Sequence, residues 1–440
     1  MTPQSAVSEQ HKLRRVLKLS DLILYGIIVI QPTAPMPIFG VVSQEARGHV
    51  VSAVLIAMIA MLFTAISYGR MARVYPSAGS AYTYVGNAIH PSLGYLTGWS
   101  ITMDYLLNPI ICTIWCSKAV GNFIPWIPTP VFIFGFALLF TLLNLRGVET
   151  SARVNRIMVA GMSVVVLTFF VYAFHYIAMH RPDNLLQPFY DPATFSWAYL
   201  SRGTAIAALT YIGFDGVSTL SEEVENPRRN ILLATVLTCL ITGVLAALEV
   251  YAGQLVWPDF RHYPDVDTAF VHVAGRAGGP FLFGLVNLTL LVATIGSGTA
   301  AQLGAARLLF GMGRDDVIPK RFFGALSRRG VPANNVLFSG VLTLFAALIL
   351  SYQLSVELLN FGAFIAFMGV NASALARGGN GRRWSLANAL PPVLGFAICL
   401  YIWLNLSGTA KIVGGSWLLV GVIYGALRGS LNRRPAGMQD

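Results

Sequence analysis

The chain has 440 residues, of which 55% are hydrophobic and 11% charged, and its mean hydropathy is +0.64. Soluble domains carry roughly 25% charged residues, so this composition excludes an ordinary water-soluble globule and makes the bilayer the solvent. The net charge of +11 follows membrane topology, as shown below, and no nucleic-acid partner is expected because no basic patch, fold or motif accompanies it.

The first 19 residues are polar and basic, with no small-residue cleavage site after the apolar run that follows, so no cleavable signal peptide is expected. Twelve apolar segments follow, at approximately 20–42, 51–73, 92–118, 130–145, 153–178, 202–221, 230–256, 281–308, 334–351, 354–376, 384–405 and 411–428. Most are close to the roughly 20 residues that a hydrocarbon core requires. The fold class is therefore all-α integral membrane, with 12 transmembrane helices.

With both termini cytoplasmic, the inner side takes 22 of the 30 Lys and Arg residues and the outer side seven. Cytoplasmic loops carry such an excess, which fixes the orientation and implies a multi-pass protein of the plasma (cytoplasmic) membrane, in bacteria the cell inner membrane. The organisation expected is a cytoplasmic tail at 1–19, a transport core at 20–376 with halves at about 20–180 and 202–376, two further helices at 377–428, and a cytoplasmic tail at 429–440. The longest loops fall at about 179–201 and 257–280 outside and 309–333 inside. Cys112, Cys116, Cys239 and Cys399 fall inside membrane segments and read as apolar fillers. The sequon at Asn287 is buried in segment eight. No His, Cys and carboxylate grouping has metal or catalytic spacing, so neither a metal, a cofactor nor an enzymatic activity is expected.

Two segments are interrupted near their middles. Segment one carries Gln31-Pro32-Thr33-Ala34-Pro35-Met36, and segment six carries Gly213-Phe214-Asp215-Gly216. Unwound backbone at membrane depth is tolerated where it lines a cavity, and interruptions at matching positions in two halves point to a transporter's substrate site. Segments one to five and six to ten superpose with the breaks aligned, which makes them inverted repeats.

Ionisable residues in mid-membrane are functional candidates. Counting at about 1.5 Å per residue, Asp104 and Asp215 reach the same level as Gln31. Glu249 and Glu357 count to the outer ends of their segments, and Glu222 and Glu223 to the inner end of segment six. Asp215 reads either as a ligand for a cation or proton, or as a cap for free N–H groups of the following half-helix. Asp104 reads as a ligand, or as a hydrogen-bonding tie with Tyr105 and Asn108 as local partners. Pro32, Pro35 and Pro37 supply no N–H, so the first break offers few donors to a carboxylate. Together with the two acids, this favours a cationic ligand. Trp99, Tyr105, Tyr211 and Phe214 lie near the same level, where aromatic faces attract a cation; Trp99, Tyr211 and Phe214 are candidate gating aromatics, with Phe214 favoured because it lies within the break, and Glu357 is a candidate gating acid. Ser297 and Thr299, in Gly296-Ser297-Gly298-Thr299, are candidates with Asp215 for coupling a cation. They also suit close helix packing. The runs Glu222 to Arg229 and Arg314-Asp315-Asp316 read as a salt-bridged inner gate or as solvated loops.

The blocks YPSAGSAYTY (75–84), GWSITMDYLLNPI (98–110), GFDGVSTLSEE (213–223), ARLLFGMGRDDVIPKRFFG (306–324) and NFGAFIAFMGVN (360–371) resemble the amino acid–polyamine–organocation superfamily, nearest to its putrescine importer branch. The resemblance implies a five-plus-five inverted-repeat fold with alternating access. It also implies substrate held by the unwound stretches, here Gln31 to Met36 and Gly213 to Val217, and uptake of putrescine with protons. Amino-acid members of the superfamily usually carry a glycine-rich turn in segment one, where this chain has its proline run. Some proton-coupled members place a lysine in segment five, and the matching region here, near Met162, has none.

The expected function is secondary active import of a small organic cation, putrescine or another polyamine, by proton symport. The partners are that small molecule, a coupling proton or sodium ion, and the bilayer. The alternatives are an amino-acid permease or exchanger of the same fold, which would tolerate neutralised acids, and a membrane channel or sensor, which would lack saturable uptake. The oligomeric state is left open.

Overall fold

The computed structural model describes residues 17–75, 80–147, 152–182, 184–220, 223–314, 316–327, 330–378 and 386–429. Among them the only β-type pairing is an isolated bridge between Leu17 and Val224. The helices are α1 (Leu19–Ile30), α2 (Phe39–Glu45), α3 (Val50–Val74), α4 (Ser80–Ala88), α5 (Pro91–Gly121), α6 (Thr129–Leu145), α7 (Ala152–His180), α8 (Trp197–Ala207), α9 (Pro227–Val256), α10 (Ala269–Arg314), α11 (Lys320–Phe323), α12 (Ala333–Ile349), α13 (Tyr352–Gly378), α14 (Leu386–Leu404) and α15 (Gly408–Arg428). Six of them are long and apolar enough to cross a membrane by length and composition, among them α3, α9 and α13.

Each expected segment has its helical counterpart. Segments one and six are the composite ones. Segment one is α1, a non-helical stretch and α2. Segment six is α8 followed by two 3₁₀ turns, Ala208–Tyr211 and Phe214–Leu220, so its second half is wound more tightly than an α-helix. Two stretches expected as loops contain helix. α4 lies between segments two and three, and α10 begins at Ala269 inside the expected 257–280 loop. The backbone of α10 bends at Gly278 and Gly279, where Gly279 has φ 66°, and Pro280 follows.

Local chemistry sets the helix starts. Asp21 accepts the Lys18 backbone N–H at 2.9 Å at the head of α1. Pro91 follows the His90 N-cap of α5, whose ring nitrogen accepts from Ser92. Ser407 accepts the Ala410 N–H to start α15, which ends at Gly429 with φ 63°.

In a bilayer the helices gain little from hiding apolar surface from lipid, so close packing holds them together. α3 lies along α9 with Leu232 against Gly69, and α13 lies along α5 with Gly362 against the Ser100 carbonyl. The basic residues Arg70, Arg73, Arg146, Arg229 and Arg314 lie at the same end of the bundle as the start of α1, called here the basic end. There Leu17 donates to the Glu223 carbonyl at 3.1 Å and accepts from the Glu225 N–H at 2.9 Å. This pairing ties the entry to the first broken element to the exit of the second.

Candidate substrate site

The first break begins where α1 stops. Gln31 takes φ 70°, and the prolines that follow remove N–H groups that a helix would need. The stretch closes on itself in tight turns, with Ala34 donating to the Gln31 carbonyl and Met36 to the Thr33 carbonyl. The second break turns at Gly213, whose φ of 116° a side chain would resist. A Cβ there would stand 2.8 Å from Val29, so the second break packs against the last turn of α1, just before the first break.

A cavity of about 130 Å³ opens beside them. Drug-sized ligands need roughly 300 Å³ or more, so this space suits a molecule of few atoms. Its polar lining is Gln31, Thr33, Asn108, Thr294 and Ser297, and Cys112 also lines it. Gln31 donates to the Ala293 carbonyl at 3.5 Å, and Thr33 points to the Met162 sulfur at 3.9 Å. No ionisable carboxylate or cation lines this cavity.

The two mid-membrane acids gather elsewhere. Asp104 lies one helical turn from Asn108, toward the basic end, and its charge interacts with that of Asp215. Tyr105 is a neighbour of both acids and of Tyr25, while Tyr25 also lies 3.9 Å from where a Gly216 Cβ would stand. No Lys or Arg among the described residues is a charge neighbour of either acid. Asp215 also takes backbone N–H bonds from Gly213 and Gly216. It therefore makes the backbone bonds that the capping reading expected, and it lies within charge range of Asp104.

The remaining candidates are dispersed. Pro32, Pro35 and Met36 are buried, whereas Ala34 reaches the cavity. Phe214 is fully buried, edge-on to Tyr68 at 5.5 Å and against Phe367. Tyr211 is buried with its hydroxyl donating to the Val54 carbonyl at 2.9 Å. Trp99 stacks on Trp417 at 5.0 Å and donates to its carbonyl, far along α5 from the cavity. Glu357 accepts from Gln353 at 3.1 Å and from the Ser407 N–H at 3.0 Å. Ser297 lines the cavity, but the Thr299 hydroxyl is spent on the Ile295 carbonyl. Glu222 and Asp315 lie outside the described residues. Arg428 pairs with Asp316 at 3.4 Å.

Thr294 and Tyr25 were missed as site residues, while Asn108 was read only as a local partner of Asp104. Helical spacing would have found Thr294, three residues from Ser297 on the same face.

At the end opposite the basic one, Trp115 and Tyr352 line the cavity, and Trp115 donates to the Asp267 carbonyl at 2.8 Å. Lys118 bonds Asp265 at 3.0 Å and reaches Asp267 at 3.8 Å. Burial, aided by Asp265, pushes the Asp267 carboxyl up to about 6, against the pull of Lys118.

A family model described as amino acid permease matches residues 36–424. The chain belongs to the amino acid permease family. A low-affinity putrescine importer of Escherichia coli K12 is similar to this permease at 32% identity, covering 96% of this chain and 95% of its own. A branched-chain amino acid permease of Bacillus subtilis is 25% identical over 95% and 94% of the two chains. A vacuolar cationic amino acid transporter of Arabidopsis thaliana is 26% identical over 83% and 63%. The permease is thus a secondary transporter with the helical fold of the amino acid–polyamine–organocation superfamily, taking a small-molecule substrate.

Proposed function

We propose that this permease imports a small organic cation, putrescine or another polyamine, by proton symport through alternating access. It would sit in the plasma membrane, the cell inner membrane in bacteria, with both termini in the cytoplasm. The observation that carries this reading is the Asp104–Asp215 pair, two buried acids within charge range of each other with no Lys or Arg among the described residues as a charge neighbour. Buried like charges need a counter-charge, and a bound ammonium supplies it. An extended diamine about 7–8 Å long, from covalent geometry, would place one ammonium at the pair and the other among the carbonyls of the breaks. Tyr105 is a neighbour of both acids and of Tyr25, and aromatic rings attract a cation. The proline run supports the reading, since it supplies carbonyl acceptors and few donors for a carboxylate. The likeness to a putrescine importer is further support.

A second reading is import or exchange of an amino acid. The neutral polar cavity lined by Gln31, Thr33, Asn108, Thr294 and Ser297 favours it, as does the likeness to a branched-chain amino acid permease.

Uptake of labelled putrescine into proteoliposomes, with and without an inward proton gradient and with amino acids as competitors, tests both. Saturable, gradient-driven uptake that polyamines alone compete supports the first reading. Transport of an amino acid without putrescine uptake replaces it with the second.

A further inference from the structure

Glu249, on α9, is fully buried, and neither carboxyl oxygen has a hydrogen-bond partner. Among the described residues it is the only carboxylate in that condition. Its position followed from sequence only as a depth near the outer end of the segment. The fold adds what it faces. At about 100° per residue, Thr238, Thr242, Glu249 and Gly253 share one face of α9. Thr238 rests against Gly26 of α1, with its hydroxyl 2.5 Å from where a Cβ would stand, and Gly253 rests against the ring of Phe39 on α2. Glu249 lies between these two contacts on the same face, so it backs onto the unwound stretch that joins α1 to α2. The cavity lies against that same stretch, lined by its Gln31, Thr33, Ala34 and Pro37.

Groups on the surrounding elements leave Glu249 without a charge partner. On α3 the basic residues are Arg70 and Arg73, at the basic end, and the acid of α1 is Asp21, also there. On α7 the titratable residues include Arg156, Tyr172, His175, Tyr176 and His180, and on α10 they include His272, Arg276, Arg307 and Arg314. Tyr211 is committed to the Val54 carbonyl, Glu45 of α2 accepts from Gln353, and Cys239 is a thiol buried on α9 itself; the Phe214–Leu220 turn carries Asp215, bonded to its own backbone segment, and α1 and α3 carry Tyr25 and Tyr68. The unwound stretch contributes Pro32, Pro35 and Pro37, which have no N–H to offer an anion. An ionised carboxylate in such a place is costly enough to hold its proton instead. A neutral carboxyl is compatible, because its O–H can donate to a carbonyl freed by the break.

We propose that Glu249 is the proton-binding site that couples the gradient to movement of the broken first segment. In the packed arrangement the carboxyl carries the proton. When the stretch from Gln31 to Ile38 shifts away from α9 and water enters, the carboxyl releases that proton and charges. Substrate in the cavity and proton on Glu249 thus act on opposite sides of one hinge. This inference rests on the proton-driven reading of the transporter, and its test separates the two.

The test compares wild type, Glu249→Gln and Glu249→Asp in proteoliposomes. One coupled proton supports about tenfold accumulation for a one-unit pH gradient. Glu249→Gln should retain substrate counterflow at equal pH but lose gradient-driven accumulation and the pH dependence of uptake. Glu249→Asp should keep coupling with a displaced pH profile. Wild-type accumulation in Glu249→Gln overturns the proposal. If the Gln variant is not monodisperse after purification, an unchanged pH profile in Glu249→Asp overturns it. If wild type ignores putrescine but concentrates a branched-chain amino acid with protons, the same variants are run on that substrate. Loss of coupling in Glu249→Gln then upholds the Glu249 assignment while the polyamine reading fails.

Discussion

Asp215 accepts backbone bonds that cap the second break and also lies within charge range of Asp104, so neutralising the two acids should have different consequences. Asp104→Asn is expected to abolish putrescine uptake with little change in thermal stability. Asp215→Ala should abolish uptake and in addition lower stability by about 1 kcal/mol, the usual worth of a helix cap. Uptake counts paired with a melting scan of each variant check this, and full putrescine uptake in either variant would remove it from the binding site. Asp267 makes a pH prediction. Its carboxyl, raised to about 6 by burial, favours the folded state while protonated. That contribution is present below about pH 4 and is lost as pH rises through about 6. Asp267→Asn should therefore stabilise the protein at pH 7–8 by about 1–2 kcal/mol and flatten the melting temperature against pH around 6. A steeper dependence in the variant would contradict this. At this scale the sequence located Asp104 and Asp215 well, because counting along a helix gives depth. It placed Glu249 at a membrane boundary because depth says nothing of which way a side chain faces, and only the neighbours of α9 reveal that.

The two broken elements differ in how they are held. The first is interrupted by residues that lack N–H groups, and the second by one glycine with a backbone angle that other residues resist. Gly213→Ala places a methyl 2.8 Å from Val29 at φ 116°. It is expected to push the second break away from α1, costing roughly 1–3 kcal/mol and slowing transport, read as a lower melting temperature and a lower maximal uptake rate. Wild-type values for both would show that the contact yields freely. The breaks themselves were legible from Pro and Gly at matching depths. The 3₁₀ winding from Phe214 to Leu220 was not, since its side chains carry no period that separates it from an α-helix over seven residues. The helix within the 257–280 stretch was hidden for another reason. The whole stretch was read as a loop, whereas Gly278, Gly279 and Pro280 bend a helix that continues on both sides.

For the whole molecule, the alternation of apolar segments carried the architecture, because a bilayer leaves a chain few ways to satisfy its backbone. What it did not carry is which helices touch. Trp99, read as a gating aromatic because of its depth, packs α5 against α15 through Trp417 and Tyr424. Trp99→Ala should therefore lower the melting temperature, large-to-small losses of this kind costing about 3–5 kcal/mol in water-soluble cores. A change in transport rate with unaltered stability would instead return Trp99 to a gating role.

Cys112 differs from the other three cysteines in one respect. Cys116, Cys239 and Cys399 have no accessible surface, while Cys112 retains a little and lines the cavity. The protein thus carries a native chemical probe at the candidate substrate cavity. A small thiol-directed reagent should modify Cys112 alone, faster during turnover than at rest, and saturating substrate should slow the reaction. Mass mapping of the modified peptide, with Cys112→Ser as the blank, would then follow opening of the cavity in the wild-type chain without any engineered label.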